Sequence, residues 1–380
     1  MSLQGFLFTW LLVGILERPA DEAGFARSLA EFPPLAMLLV GGLLGDRFNG
    51  RSYLSIMHLL VALPPLLIAA VFLQGGLNFW WVVAFGMLMA GIQSLSDPGR
   101  QAMLNRVSPL DLQRSVTIMV ICTTLVGQFG VFLGGRLETI GLEIVLGCQS
   151  ALFLFGLLAT RALPSLPVTY HGNYERPRLA QGLRMVWQTR LIRNLIGLNF
   201  ISSLFNAGAY IIGLPYIVRE VYQGDAALYA TVMIVFSLGS IGSNVALLYF
   251  MPLQHPGRLY LILQLSRIAI LGLLWLRPSL WLFYLLMAAW GLNMGVTTTL
   301  VRSTVQELAD PRHRSQILSV LLFSFIVSSP ISSILLGVLI AQSSPMTALL
   351  PGIFISLLIF VIGVWHSGLW GYRSRSTQSH

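Results

Sequence analysis

The sequence predicts an all-α membrane protein with twelve transmembrane helices in two six-helix pseudo-repeats. Three observations favour this fold class: apolar runs of bilayer length recur along the chain, charged residues are scarce, and landmarks of the first half return in the second. Of the 380 residues, 56% are hydrophobic and only 10% are charged, whereas a soluble domain carries about 25% charged residues. The composition therefore excludes a water-soluble globular protein.

The apolar runs define the individual helices, because a bilayer core about 30 Å thick needs roughly 20 apolar residues per helix. Helices are predicted rather than barrel strands, since the runs lack alternation and lipid offers the backbone no hydrogen-bond partners. The predicted spans are 3–16, 27–45, 52–73, 79–104, 113–139, 141–161, 191–218, 227–250, 258–276, 279–306, 314–341 and 346–369. The first span is short, so we expect helix 1 to be truncated or the chain to start downstream of its true beginning.

A polar, proline-containing stretch divides the twelve runs into six and six. We predict an N-terminal bundle over 1–162, a cytoplasmic linker over 163–189, a C-terminal bundle over 190–370 and a tail over 371–380. One sequence offset relates Arg100 to Arg302, Pro109 to Pro311, Gly135 to Gly337, and the end of helix 1 at Leu16 to Val218. The shared offset favours two parallel repeats, an arrangement known in transporters.

Arginine placement predicts the orientation. The net charge is +9, and every one of the 23 basic residues is an arginine. With both termini inside, seventeen arginines fall in cytoplasmic breaks or the tail and five in outer breaks, as the positive-inside rule requires. This distribution accounts for the positive charge, so the charge gives no reason to predict nucleic-acid binding. We expect a multi-pass protein of a bacterial inner membrane.

A charged turn joins the second and third runs. Gly42, Asp46, Arg47 and Arg51 occupy it, and Asn49 stands where a second glycine would fit the same backbone. This stretch resembles the signature loop between helices 2 and 3 of the major facilitator superfamily. The resemblance implies the major facilitator fold and a gating role for these residues, with Asp46 as the switch aspartate.

Polar stripes on the predicted helices are candidates for a substrate cavity. Helix 7 carries Asn199, Ser203, Asn206 and Tyr210 on one face, and helix 10 carries Trp290, Asn293 and Thr297 at similar spacing. The alternative is that the stripes bind helices together. In the superfamily, helices 1, 4, 7 and 10 line the central cavity, so the resemblance favours cavity lining.

Helix 4 contributes three further candidates. Gln93, Asp97 and Arg100 share a face, and Asp97 can pair with Arg100 three residues later. We expect Gln93 to line the cavity, Arg100 to gate or anchor the helix, and Asp97 to be the candidate for proton coupling, since an ionisable residue in a membrane helix is a functional candidate by default. The alternative is that Asp97 anchors the wet end of the helix.

Two features have weaker interpretations. Helix 5 has Gly130, Gly134 and Gly135, which fit the glycine-rich antiporter motif of exporters except that Val131 replaces a proline. Small residues of this kind also allow close helix packing. Arg267 lies inside helix 9 without an obvious carboxylate partner, and we expect it to pack against carbonyl groups or to snorkel rather than contact substrate.

The segment Asp97-Pro98-Gly99-Arg100 resembles the branch that holds macrolide efflux pumps, the enterobactin exporter and the lysophospholipid transporter. The resemblance implies a monomeric secondary transporter that exports a small amphipathic molecule, a siderophore or a drug, by proton-coupled alternating access. A lysophospholipid flippase and a non-transporting membrane sensor or scaffold are the alternatives. The six histidines and two cysteines are scattered, so we predict no enzyme, catalytic residue, metal site or cofactor.

Overall fold

The computed structural model describes residues 3–40, 50–107, 112–164, 179–251, 253–310 and 313–374, which are helical over most of their length. Contacts within the chain define two compact units, Met1–Glu175 with Gly224–Ala230, and Arg176–Gln223 with Thr231–His380. The predicted linker falls largely on 165–178, outside the described residues, so the predicted domain boundaries stay predictions.

Twelve helices in the described residues correspond to the twelve predicted spans. They are α1 (Leu3–Ile15), α2 (Ala20–Val40), α3 (Gly50–Leu73), α4 (Phe79–Val107), α5 (Leu112–Gly134), α6 (Leu142–Arg161), α7 (Arg190–Val221), α8 (Ala226–Phe250), α9 (Pro256–Trp275), α10 (Leu280–Leu308), α11 (Arg314–Gln342) and α12 (Leu350–His366). A short turn, Leu137–Ile140, follows α5, and an amphipathic helix, Leu179–Gln188, precedes α7; we call the latter the linker helix.

Nine of these helices, by length and composition, can cross a membrane within the part of the chain that the structure describes. The exceptions are α1 and α5, whose apolar portions are shorter, and α2, which carries Asp21, Glu22, Arg27 and Glu31. Backbone groups have no partners in lipid, so helices are the form such segments must take. The all-α membrane fold predicted from composition is confirmed.

The first unit is stabilised by packing between pairs of its helices. Helix α3 packs on α4 and α6, α2 on α4, and α1 on α5. Small hydroxyl side chains join α3 to α6. Ser150 donates to the carbonyl of Ala62, and the hydroxyl oxygens of Ser55 and Thr160 lie 3.0 Å apart. Gly130 and Gly134 of α5 face Leu3 and Phe6 of α1 so closely that a side chain at Gly134 would overlap the Phe6 ring.

The second unit is built around α7 and α9. Helix α7 packs on α10, α11 and α12, α9 on α10 and α12, and the linker helix on α11. At the end where α7, α9 and α11 begin, an apolar cluster fills the interior. Its most buried members include Ile192, Leu195, Tyr260, Leu261, Val301, Val305 and Leu321.

The two units share a local motif that corrects the predicted repeat. Helices α1 and α7 end in π-helical turns, Leu11–Ile15 and Ile217–Val221. A residue with positive φ follows each turn, Glu17 at 51° and Gln223 at 49°. Leu16 therefore corresponds to Tyr222, not to Val218 as predicted, because α7 continues through a further turn of helix.

Candidate functional site

The polar stripe of α7 lies inside the second unit. Asn199 is buried with 5% exposure, Ser203 and Asn206 are half-buried, and Tyr210 is buried in a π-helical turn, Ala209–Gly213. Such turns occur often at functional sites. The neighbouring Ser202, absent from the sequence prediction, is also buried and is the member of this helix that contacts a charge.

Tyr210 and Trp290 come together in an aromatic cluster. Their ring centroids lie 6.1 Å apart with nearly perpendicular planes. Phe236 of α8 completes the cluster, stacked on Tyr210 at 4.2 Å and edge-on to Trp290 at 5.9 Å. Sequence reasoning missed Phe236 because an apolar residue in an apolar helix carries no signal of its own. The cluster provides an apolar wall beside the α7 stripe.

Asn293 and Thr297 of α10 face α9, where they meet Arg267. The Nε and one terminal nitrogen of Arg267 donate to the Asn293 Oδ1 over 3.1 and 2.8 Å. That terminal nitrogen also lies 3.5 Å from the Thr297 hydroxyl. Asn293 is 1% exposed and Arg267 is 4% exposed, so the contact is fully removed from the surrounding medium.

The remaining nitrogen of Arg267 binds α7 and its own helix. It donates to the Ser202 hydroxyl over 2.7 Å and to the Gln264 Oε1 over 3.3 Å. All five N–H groups of the guanidinium thus point at neutral oxygens, and no carboxylate pairs with it among the described residues. Arg267 does not snorkel, because it is buried and side chains of three helices accept its bonds. The carbonyl groups that it binds are the side-chain amides of Asn293 and Gln264.

Two atoms of the α7 stripe have no hydrogen-bond partner among the described residues. Asn206 donates to the Ser202 carbonyl over 2.8 Å, but its buried Oδ1 accepts nothing. The Nδ2 of Asn199 likewise donates to nothing. Buried polar atoms are nearly always paired, so each exception calls for an explanation. One acceptor and one donor on the same helix face are suited to a polar ligand.

The candidates of the first unit that the structure describes lie on α4 and at the start of α3. Gln93, half-buried, donates to Gln4 of α1. Asp97 and Arg100 form the expected ion pair, with about half of each side chain exposed. Arg51 lies half-buried near the start of α3. The predicted gating residues Gly42, Asp46 and Arg47 lie outside the described residues.

No metal site accompanies these features in the part of the chain that is described: no group of three His, Cys, Asp or Glu side chains is placed to hold an ion. What the second unit offers instead is a buried polar layer, formed by Ser202, Arg267, Asn293 and Thr297, next to an aromatic wall. These residues can bind a ligand through hydrogen bonds and apolar contacts, and they include no carboxylate, histidine or cysteine.

A model of the Major Facilitator Superfamily matches residues 1–333 of the sequence. The chain belongs to the major facilitator superfamily. No curated protein matches it. Membership of this superfamily confirms the prediction of a transporter rather than an enzyme and indicates a secondary transporter in a membrane, with a small-molecule substrate.

Solved structures of superfamily transporters are similar along almost their whole length. The nucleoside transporter NupG has a TM-score of 0.71 at 14% identity, covering 97% of either chain. A POT family transporter in complex with 5-aminolevulinic acid has a TM-score of 0.70 at 13% identity, covering 97% of this chain and 93% of that one. A bacterial homolog of the human lysosomal transporter Spinster has a TM-score of 0.65 at 14% identity, covering 97% of this chain and 92% of that one. At identities this low the likeness shows the superfamily fold alone.

Proposed function

We propose that this protein exports a small amphipathic molecule, a siderophore or a drug, by proton-coupled alternating access. It acts as a monomeric antiporter in a bacterial inner membrane, with both termini in the cytoplasm. The proposed export direction and the proposed coupling to protons rest on the sequence resemblance around Asp97-Pro98-Gly99-Arg100. The arginine distribution supports the orientation.

One observation carries the proposed substrate class: the unpartnered donor of Asn199 and acceptor of Asn206 lie on the same helix as Tyr210. Leaving a buried polar atom unpaired costs about 1–3 kcal/mol. A ligand that supplies the missing partners recovers this free energy on binding. The aromatic cluster with Phe236 and Trp290 favours a ligand that also has an apolar part.

Transport by single variants tests this assignment. Asn199→Leu and Asn206→Leu each remove an unpartnered atom, so we expect proton-driven uptake into inverted membrane vesicles to fall at least tenfold with little loss of stability. Ethidium and a catecholate siderophore serve as the two probes. The matched control is Asn244→Leu, because Asn244 of α8 donates to the Ser240 carbonyl and accepts from Thr299 over 2.6 Å.

The control variant should lower the melting temperature but retain transport per folded molecule. Unchanged transport of both probes by the Asn199 and Asn206 variants would contradict the cavity assignment. Transport of neither probe by the native protein, together with movement of a fluorescent lysophospholipid that persists after the proton gradient is collapsed, would replace the exporter with the flippase.

A further inference from the structure

A groove of about 250 Å³ opens on the second unit between the start of α7 and the end of α12. We call it the α7–α12 groove. Its lining includes Arg193, Asn194, Leu198, Ile201, Ile362 and His366. The groove is separate from the buried polar layer around Arg267, and none of the candidate cavity residues lines the groove.

The groove has a basic end and an apolar end. Arg193 and His366 form the basic end, and the neighbouring Arg190 donates to the His366 carbonyl over 3.1 Å. Ile201 and Ile362 form the apolar end, and both are about 40% exposed. A molecule that fills the groove must therefore present an anionic group at one end and an apolar body at the other.

The positive charge at the basic end has no acidic partner among the described residues. Arg193 donates to the Trp187 carbonyl over 3.2 Å, and its guanidinium lies over the Trp187 ring at 5.4 Å. Both partners are uncharged, as is the carbonyl that accepts from Arg190. A phosphate or carboxylate would add the attraction of a full negative charge and can accept two bonds from one guanidinium.

The groove lies where a bilayer surface is expected. Arginines are frequent at this end of the second unit. Arg190, Arg193, Arg258 and Arg314 lie in the first turn of their helices, and Arg302 lies within the last two turns of α10. Contacts between Asn194 and the Ser367 carbonyl, and between Gly257 and Leu369, confirm that these helix ends share one level. Trp187 and Trp365 are 62% and 77% exposed at the same level, a position typical of tryptophan at membrane interfaces.

We propose that the α7–α12 groove binds an anionic phospholipid of the adjacent leaflet. The lipid phosphate contacts Arg190 and Arg193, and an acyl chain lies against Ile201 and Ile362. The apolar half of the groove disfavours a free inorganic anion as occupant, and the bilayer presents lipid to this surface at high concentration. Basic pockets between helices near the membrane surface recognise lipid headgroups in this way.

The test measures lipid binding to the purified full-length protein in detergent by native mass spectrometry, with phosphatidylglycerol and phosphatidylcholine as probes. We expect at least tenfold tighter binding of phosphatidylglycerol. Arg190→Gln and Arg193→Gln should each weaken that binding about fivefold and weaken phosphatidylcholine binding less, because each removes one cation and only phosphatidylglycerol has a net negative charge. Arg184→Gln is the matched control, since Arg184 is an exposed arginine of the linker helix outside the groove lining.

A second variant tests the apolar part without changing charge. Gly197 is exposed in the groove, and a Cβ there would meet no atom within 4 Å, so Gly197→Leu should fold normally, fill the groove and weaken binding of both lipids. Equal loss from Arg184→Gln and Arg193→Gln, normal binding by Gly197→Leu, or full displacement of the lipid by millimolar inorganic phosphate would each overturn the proposal.

Discussion

Arg267 is the residue whose setting most changes the interpretation of the chain. In the sequence it is a charge in an apolar run, with no partner visible at nearby positions. In the structure it joins α7, α9 and α10 through Ser202, Gln264 and Asn293. A buried charge is tolerable only when its donors are satisfied, so the polar residues of α7 and α10 also stabilise the second unit.

The coupling between Arg267 and Asn293 is measurable. Asn293→Leu removes an acceptor of two charge-assisted bonds and leaves the guanidinium buried, so we expect a loss of about 3 kcal/mol in unfolding free energy. Arg267→Met removes the charge itself and should cost less, about 1–2 kcal/mol. The double variant should be more stable than Asn293→Leu alone, because the unsatisfied cation is gone.

Reversible unfolding in mixed micelles, followed by tryptophan fluorescence, provides the double-mutant cycle. Strictly additive losses would mean that Arg267 and Asn293 do not depend on each other. Ser319→Ala supplies a control for a hydroxyl in α11 that bonds only within its own helix, to the Ser315 carbonyl; it should leave the unfolding free energy within about 0.5 kcal/mol.

At the scale of elements, glycines set the approach of α8 to α10. A Cβ on Gly291 of α10 would lie 1.9 Å from the carbonyl oxygen of Phe236, and one on Gly239 of α8 would lie 2.2 Å from that of Ala288. Only a residue without a side chain permits this distance, and small residues are the usual means of close packing between membrane helices. The contact also holds Phe236 beside Trp290.

We expect Gly291→Ala to destabilise the protein by about 1–3 kcal/mol, because backbone must move to admit the methyl group. Gly272→Ala in α9 is the control, since a Cβ at Gly272 would meet nothing within 4 Å. The control should be neutral or slightly stabilising, given the higher helix propensity of alanine. Equal melting temperatures for the two variants in detergent would contradict the close contact.

At the scale of the whole molecule, the proposed proton coupling needs a group that takes up and releases a proton during transport. Asp97 is the proposed proton carrier, and its ion pair with Arg100 is half-exposed on α4. Asp97→Asn preserves the shape of the side chain but cannot exchange a proton. We expect pH-driven uptake into vesicles to fall at least tenfold, while exchange of labelled substrate without a gradient continues.

The pair of Arg18 and Glu22 offers a matched control for Asp97→Asn. It is an i, i+4 ion pair with exposure of 38% and 43% for the two side chains. Glu22→Gln should leave both uptake and exchange unchanged. Loss of exchange together with uptake in Asp97→Asn would show that Asp97 supports the fold or substrate binding, and proton coupling would then need another group.

Much of the architecture follows from composition and periodicity. Apolar runs of bilayer length must become helices. Twelve helices correspond to the predicted spans in the described residues, and nine of them are long and apolar enough to cross a membrane. Spacing also places Asp97 and Arg100 within reach of each other, because residues three apart share a helix face. The correspondence of Leu16 with Tyr222 was not predicted, since nothing in the residue pattern marks the further turn of helix through which α7 continues.

The sequence by itself determined that this chain belongs in lipid, that its helices form two related sets, and that its superfamily consists of transporters. These are consequences of backbone desolvation and of local patterns. Only the tertiary structure decided that Asn293 turns to Arg267 and that Phe236 joins Tyr210 and Trp290. It also decided that Asn199 and Asn206 keep atoms with no partner among the described residues. Such pairings depend on how far each helix rotates and how closely it approaches its neighbours, and packing across distant parts of the chain sets both.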